Sequence, residues 1–251
     1  MNETILSVKD LIKSFGEFTA INGIELNLTP NIITSIIGPN GAGKTTLINL
    51  ITGILRPDKG KVFFRGEDIT HLSTDKLVKK RITRSFQIMN IFPRLTVFQN
   101  IQLPVLSLLG KHLKWFSRSD DHRDITGEVN KILEEVSLLD KKNMLAGELS
   151  HGDQRLLELG IAIAPRPELC FLDEPSSGMN PSESARVLEL IKRLATMEKT
   201  TFVVVEHDMD LVFSLSDWII VMNKGEIVTE GEPGQIRENK EVREIYLGEE
   251  L

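Results

Sequence analysis

Residues 38 to 45 read Gly38-Pro39-Asn40-Gly41-Ala42-Gly43-Lys44-Thr45, and their reading decides the fold. They fit the pattern G-x-x-x-x-G-K-[ST], in which glycines let the backbone curl until several N–H groups converge on one point. A helix starting at that point adds the positive potential of its N-terminus, which suits a phosphate group. On this reading Lys44 reaches the β- and γ-phosphates of a nucleotide, and the Thr45 hydroxyl ligates magnesium. The flanks agree. Ile32-Ile33-Thr34-Ser35-Ile36-Ile37 is a β-branched run suited to a strand buried on both faces, and Thr45 to Ile51 continues with a helical apolar pattern. A glycine-rich turn with a chance lysine explains neither flank.

Outward from this loop, the next chemistry-bearing stretch is Leu169-Cys170-Phe171-Leu172-Asp173-Glu174. An apolar strand ends there in two carboxylates. Alone, such a pair is more often a helix cap. In a chain with a phosphate loop, Asp173 is expected to hold the magnesium shell, and Glu174 is left free to polarise an attacking water.

The rest of the chain sorts around these two stretches. Ile5 to Leu28 alternates apolar and polar residues between turn signals at Gly16 and Asn22-Gly23, and predicts an antiparallel β portion. Lys61-Val62-Phe63-Phe64 predicts a strand with a turn at Arg65-Gly66. From about Ile88 to Ala146 the pattern is mostly helical, with Glu128 to Val136 as one helical patch, breaks at Pro93, Pro104 and Gly110, and a polar insertion at Lys111 to Asp124. After Leu149 strands and helices alternate again. Leu169 to Leu172 and Thr201 to Val205 are buried strands, and Ser182 to Met197 is the helix between them, with Pro181 in its first turn. Trp218 to Met222 and Glu226 to Thr229 predict a terminal hairpin across Asn223-Lys224-Gly225. Such alternation implies a parallel sheet covered by helices.

Composition narrows the function classes. The chain has 251 residues, 41% of them hydrophobic and 26% charged, with a net charge of −6. That is enough for one full core, and it offers no basic footprint for nucleic acid. The single cysteine, Cys170, excludes an internal disulfide, fits a reducing compartment and lies in an apolar run that predicts an inert core position. Met1-Asn2-Glu3-Thr4 does not begin a signal peptide, and no stretch approaches the ~20 apolar residues of a membrane span. Any membrane role is therefore expected to come through a partner.

Leu149-Ser150-His151-Gly152-Asp153-Gln154 resembles the L-S-G-G-Q signature of ABC transporter ATPases, and it lies a short way before the Asp173-Glu174 strand. With the phosphate loop, this resemblance covers the chain from about Leu6 to Glu230. It implies an α/β fold: a P-loop NTPase ABC cassette with a parallel core sheet, an N-terminal antiparallel β portion and a helical subdomain at about 88–148, all within one domain, 1–251. Further motifs fall in order. Gln87 in Arg84-Ser85-Phe86-Gln87 matches the family glutamine that contacts magnesium and water. Ser177-Gly178-Met179-Asn180 occupies the D-loop, His207 matches the switch histidine of the γ-phosphate, and Phe15 matches the aromatic that stacks on adenine. The implied catalytic set is Glu174, His207, Lys44 and Gln87. The implied ATP set is Phe15, Gly38, Pro39, Asn40, Gly41, Ala42, Gly43, Lys44, Thr45, Thr46, Ser150 and Gly152. The implied magnesium set is Thr45, Gln87 and Asp173. Ser150 and Gly152 are implied to bind the γ-phosphate of an opposing subunit.

Three positions depart from the family pattern. His151 replaces a glycine, in a form that occurs in the amino-acid and urea importer branch. Asn180 replaces the common D-loop aspartate. Asp153 replaces a glutamine, and two readings stand: like-charge repulsion of the opposing phosphate, or pairing with Arg155. The longer match from Arg84 through Phe92-Pro93-Arg94-Leu95-Thr96-Val97, with Val205-Glu206-His207-Asp208-Met209 and Glu244-Ile245-Tyr246-Leu247-Gly248, resembles ATPases of branched-chain (hydrophobic) amino-acid importers. Urea importers share several of these marks. The resemblance implies ATP and Mg2+ as cofactors and a peripheral place on the cytoplasmic face of the cell membrane. Its implied partners are integral membrane permease subunits, a second ABC ATPase subunit and, indirectly, a solute-binding protein. A non-transport ABC ATPase and a small-molecule P-loop kinase are the competing classes. The first usually carries two cassettes or a long coiled-coil insertion, and the second lacks the signature and the switch histidine.

Overall fold

The structure is a computed structural model, and it describes residues 3–85, 91–108 and 119–247. In chain order the elements are β1 (Leu6–Phe15), β2 (Phe18–Leu28), β3 (Ile33–Ile37), α1 (Lys44–Ile51), β4 (Lys59–Phe64), β5 (Glu67–Asp68), α2 (Thr74–Lys79), β6 (Ile82–Arg84), α3 (Val97–Leu108), α4 (Ser119–Glu135), α5 (His151–Ile163), β7 (Leu169–Asp173), α6 (Pro181–Met197), β8 (Thr201–Val205), α7 (Met209–Leu215), β9 (Trp218–Asn223), β10 (Glu226–Gly231), α8 (Pro233–Glu238) and α9 (Lys240–Leu247). A four-stranded antiparallel sheet has the order β2-β1-β4-β5, and a six-stranded sheet has the order β10-β9-β3-β8-β7-β6. Strands β9, β3, β8, β7 and β6 run parallel, with β10 antiparallel at one edge.

All five residues of β3, β7 and β8 are buried. The cause is packing on both faces of the sheet, and successive side chains in a strand alternate between those faces. In β7, Leu169 and Phe171 enter the core shared with α1 and the antiparallel sheet. Cys170 and Leu172 enter the opposite core, built with α3, α4, α5 and α6. Asp173 follows the parity of Leu169 and Phe171 and so faces the α1 side. Buried polar contact agrees, because Arg84 bridges Asp173 to Asn49 of α1.

The N-terminal portion is antiparallel as the sequence predicted, with one correction. Gly16 does sit in the β1–β2 turn, but Asn22-Gly23 is not a turn. It lies inside β2, where the register steps from Leu11 opposite Ile24 to Lys13 opposite Ile21, so β2 holds one extra residue. Gly23 takes a φ of 67° there, a left-handed geometry that a bulge needs and glycine adopts without strain. The Arg65-Gly66 turn is as predicted, with both residues at positive φ.

The middle region also differs in detail. Pro104 does not break a helix but lies inside α3. It leaves the Asn100 carbonyl without a helical N–H donor, and tertiary packing of Ile101 and Val105 holds the helix across the gap. α4 begins at Ser119, so the polar stretch expected as insertion through Asp124 is helical from that residue on. Its Ile125, Val129, Ile132 and Leu133 recur at helical spacing and are buried against α3 and α5. The closing β9–β10 hairpin is present, with Lys224 and Gly225 at positive φ, but it is not terminal, because α8 and α9 follow and pack on β9 through Ile236 and Val242. Among the described residues no helix is long and apolar enough to cross a membrane.

Candidate functional site

The parallel register brings three loops to one sheet edge. Ile36 of β3 lies opposite Val205 of β8, and Asp173 of β7 lies opposite the same Val205. The loops after β3, β8 and β7 therefore leave side by side from the carboxyl ends of their strands, where ligands sit in open α/β sheets.

The first loop is the glycine-rich turn. Gly38, Gly41 and Gly43 all have positive φ. At Gly38 a Cβ would lie 2.0 Å from the Met222 carbonyl oxygen, and at Gly43 it would lie 2.7 Å from that of Ala20, so close backbone approach forces glycine at both. Gly43 caps α1 without a side chain. Lys44 is buried and donates to the carbonyl oxygens of Gly38 and Pro39, the second at 3.0 Å. Thr45 is exposed and Thr46 half-buried beside it. The helix start, the turned N–H groups and the lysine make a cradle for an anion.

The second loop starts at Asp173. Its side chain is 1% exposed and pairs through Oδ2 with the Arg84 guanidinium at 3.0 Å, itself 6% exposed. Burial pushes the Asp173 carboxyl above the ordinary carboxylate range, which Arg84 only partly opposes. Burial likewise pulls the Arg84 guanidinium down. Asp173 Oδ1 has no hydrogen-bond partner. A buried carboxylate oxygen left this way suits a cation. Among the described residues no group of three or more His, Cys, Asp or Glu side chains gathers to hold a metal. A cation here would need oxygens from elsewhere, as magnesium bound through one or two protein groups plus phosphates does.

Glu174 follows at a φ of 49°, uncommon for a non-glycine residue, and its N–H donates to the Val205 carbonyl at 2.9 Å. Its Oε1 lies 2.7 Å from His207 Nε2, from the third loop. The two loops are stitched by a residue that the sequence did not single out. Glu206, buried at 4% exposure, accepts from Ser176 N–H and Oγ at 2.9 and 2.6 Å. A carboxylate between an apolar strand and a histidine is the only signal it left.

Phe15 ends β1, half-exposed at 49%, with Lys13 Nζ 5.5 Å from its ring centre. Gln87 lies outside the described residues. Ser150 and Gly152 belong to a different part of the chain. Ser150 caps α5 by accepting from Asp153 N–H at 3.2 Å. Gly152 packs where any Cβ would come within 3.0 Å of Glu183. His151 Nε2 stands 3.4 Å from the Ser177 carbonyl oxygen. Asn180 caps α6 in a reciprocal box with Glu183, so the residue keeps the capping oxygen an aspartate would supply.

Of the two readings of Asp153, pairing holds, but Arg155 is not the partner. Arg155 binds Glu158 at 2.8 Å, three residues on along the same helix. Asp153 instead binds Lys141 at 2.6 Å, with Arg186 at 3.9 Å on its other oxygen.

The ABC transporter family model matches residues 21–177. The high-affinity branched-chain amino acid transport ATP-binding protein LivG of Escherichia coli strain K12 is 37% identical, over 99% of this chain and 100% of its own length. The solved ADP conformation of an ATP-binding cassette of an ABC transporter is 33% identical with a TM-score of 0.86, over 98% of this chain and 100% of that one. A dimeric ATP-binding cassette in a post-hydrolysis state, bound to ADP and Pi, is 26% identical with a TM-score of 0.77, over 91% and 98%.

Proposed function

This chain belongs to the ABC transporter family of ATP-binding cassettes, and from that premise we propose that it is the ATP-hydrolysing subunit of an importer of branched-chain amino acids. The observation that carries the hydrolytic reading is the 2.7 Å contact between Glu174 and His207, at the strand ends beside the glycine loop. The cargo reading draws its support from LivG, matched over essentially the full length of both chains.

In this reading the N–H groups from Gly38 to Thr46 and the Lys44 ammonium bind the phosphates of ATP, and Phe15 stacks on adenine. Thr45, Asp173 and Gln87 would hold Mg2+, with the unpartnered Asp173 Oδ1 as the supporting observation. Bound there, Mg2+ neutralises charge on the β- and γ-phosphates. Glu174 takes a proton from the attacking water, a contribution of about 10²–10⁴-fold. His207 orients Glu174 and contacts the γ-phosphate.

Ser150 and Gly152 have their neighbours in Asp153 and Glu183. In this reading they act on the γ-phosphate of a second cassette, in a dimer that is homomeric or formed with a similar ATPase. The chain is peripheral to the cytoplasmic face of the membrane, as one cassette with its helical subdomain at about 88–148 set against permease subunits. A solute-binding protein acts only through that permease.

The test joins two measurements. Glu174→Gln is expected to cut turnover by about 10²–10⁴-fold and to leave an ATP-bound dimer on size exclusion. A tagged chain recovered from solubilised native membranes is expected to bring two permease subunits and a second ATPase. Persisting turnover in Glu174→Gln would remove Glu174 as the base, and recovery of ribosomal or DNA-associated proteins without a permease would remove transport.

A further inference from the structure

One of the three positions at which this chain departs from the family pattern carries a buried charge within the signature. Asp153 is 5% exposed. Its Oδ2 accepts from two donors, Lys141 Nζ at 2.6 Å and Ser150 Oγ at 2.9 Å. Lys141 stands on a short 3₁₀ turn, Leu139–Lys141, outside the helix that Asp153 belongs to. On the far side Arg186 of α6 stands 3.9 Å from Oδ1, which makes no hydrogen bond. Burial raises the Asp153 carboxyl, and the contacts with Lys141 and Ser150 more than reverse this, holding it below the ordinary carboxylate range. It is therefore ionised at neutral pH.

Two consequences follow for Ser150. Its hydroxyl hydrogen is directed inward at Asp153, whereas a phosphate oxygen needs a donor directed outward. An anionic carboxylate also lies directly behind it, and a like charge across an interface costs affinity. Lys141 offsets the second effect, because it neutralises Asp153 while Oδ2 accepts from both donors at once.

We propose that Lys141 is a positioning residue for the signature serine: its ion pair with Asp153 masks the charge behind Ser150, so that an aspartate is compatible with a γ-phosphate bound in trans. The inference rests on the reading above, that Ser150 meets the nucleotide of an opposing cassette.

The experiment uses the full chain carrying Glu174→Gln, with ATP and magnesium, and follows self-association by analytical ultracentrifugation. Into this parent go Lys141→Met, Lys141→Arg, Asp153→Gln, and the pair Lys141→Met with Asp153→Gln. Lys141→Met is expected to weaken ATP-dependent association by about tenfold. Lys141→Arg is expected to stay near the parent. The double variant is expected to recover, since it removes the masked charge together with its mask. Thermal midpoints without nucleotide separate a folding defect from this effect, because a merely structural loss lowers the midpoint in step with association, whereas the proposal requires association to weaken at temperatures where Lys141→Met is still fully folded. Unchanged association in Lys141→Met, or no recovery in the double variant, overturns the proposal. A parent that stays monomeric with ATP overturns the trans reading and takes the proposal with it.

Discussion

Replacing Arg84 by methionine tests the interior of the site more sharply than any change at its surface. The guanidinium and the Asp173 carboxylate are 6% and 1% exposed and 3.0 Å apart. The same guanidinium also donates to Asn49 of α1 and lies 3.5 Å from the Thr52 hydroxyl oxygen. Methionine keeps most of the volume and removes the charge. Asp173 is then a buried carboxylate without its main counter-charge, a change that costs about 3–5 kcal/mol in comparable interiors. For a domain of this size each kcal/mol moves the thermal midpoint by roughly 2–4 °C, so Arg84→Met is expected to melt roughly 6–20 °C below the parent. Asp173 already has its carboxyl raised by burial, and losing Arg84 raises it further. A raised acid stabilises the fold at pH below its unfolded value of 3.8 and loses that contribution as pH climbs through the folded value. The gap between Arg84→Met and the parent is therefore expected to narrow as pH is lowered from 7. Adding Asp173→Asn to Arg84→Met removes the stranded charge and is expected to return more than half of the loss. Circular-dichroism melts of the three proteins across pH decide the matter. A loss below about 1 kcal/mol in Arg84→Met, or a double variant no more stable than the single, would refute the view that this pair is held by mutual neutralisation.

Other expectations follow from local contacts. The Thr70 hydroxyl at 2.6 Å, with the Thr70 N–H and Lys61, lowers Asp68 from 3.8 to about 2, so Thr70→Val is expected to move its NMR titration back toward 3.8. The stability this depressed acid contributes is present above 3.8 and lost as pH falls through about 2. Cys170 is fully buried and its thiol is pushed up to about 12, so it is expected not to react with a thiol reagent at neutral pH until denaturant is added. Fast native-state labelling would contradict its core position. Gly60 takes a φ of +88°, and a Cβ there would sit 2.3 Å from the Asp10 carbonyl oxygen. Gly60→Ala is expected to cost at least about 2 kcal/mol in urea unfolding. Gly66→Ala, at +80° with open space around it, is expected to cost only about 1–2 kcal/mol.

The sequence made some levels of this molecule readable and hid others, for physical reasons. β3, β7 and β8 were legible because a strand covered on both faces shows an unbroken apolar run. The glycine loop was legible because its geometry admits few residue types. Asn22-Gly23 misled because a hairpin turn and a bulge ask the same backbone freedom of glycine, and only the pairing with β1 separates them. Pro104 misled because the helix rule is local, whereas Ile101 and Val105 are held by packing from elsewhere in the chain. Arg84 lies 89 residues from Asp173, and Lys141 lies 12 from Asp153. Neither contact leaves a periodicity to read, and Arg155, the nearer cation, was already engaged by Glu158.

The two-sided packing of β7 constrains how this chain can change length. Leu169 and Phe171 enter one core, and Cys170 and Leu172 enter the other. Deleting one residue ahead of the strand would exchange both sets and turn Asp173 from the glycine loop to the opposite layer, whereas deleting two would preserve every facing. In the connection from α5 into β7, odd changes must be absorbed in the loop itself. Tolerance there is thus a matter of arithmetic parity, and even changes are expected to be borne better than odd ones.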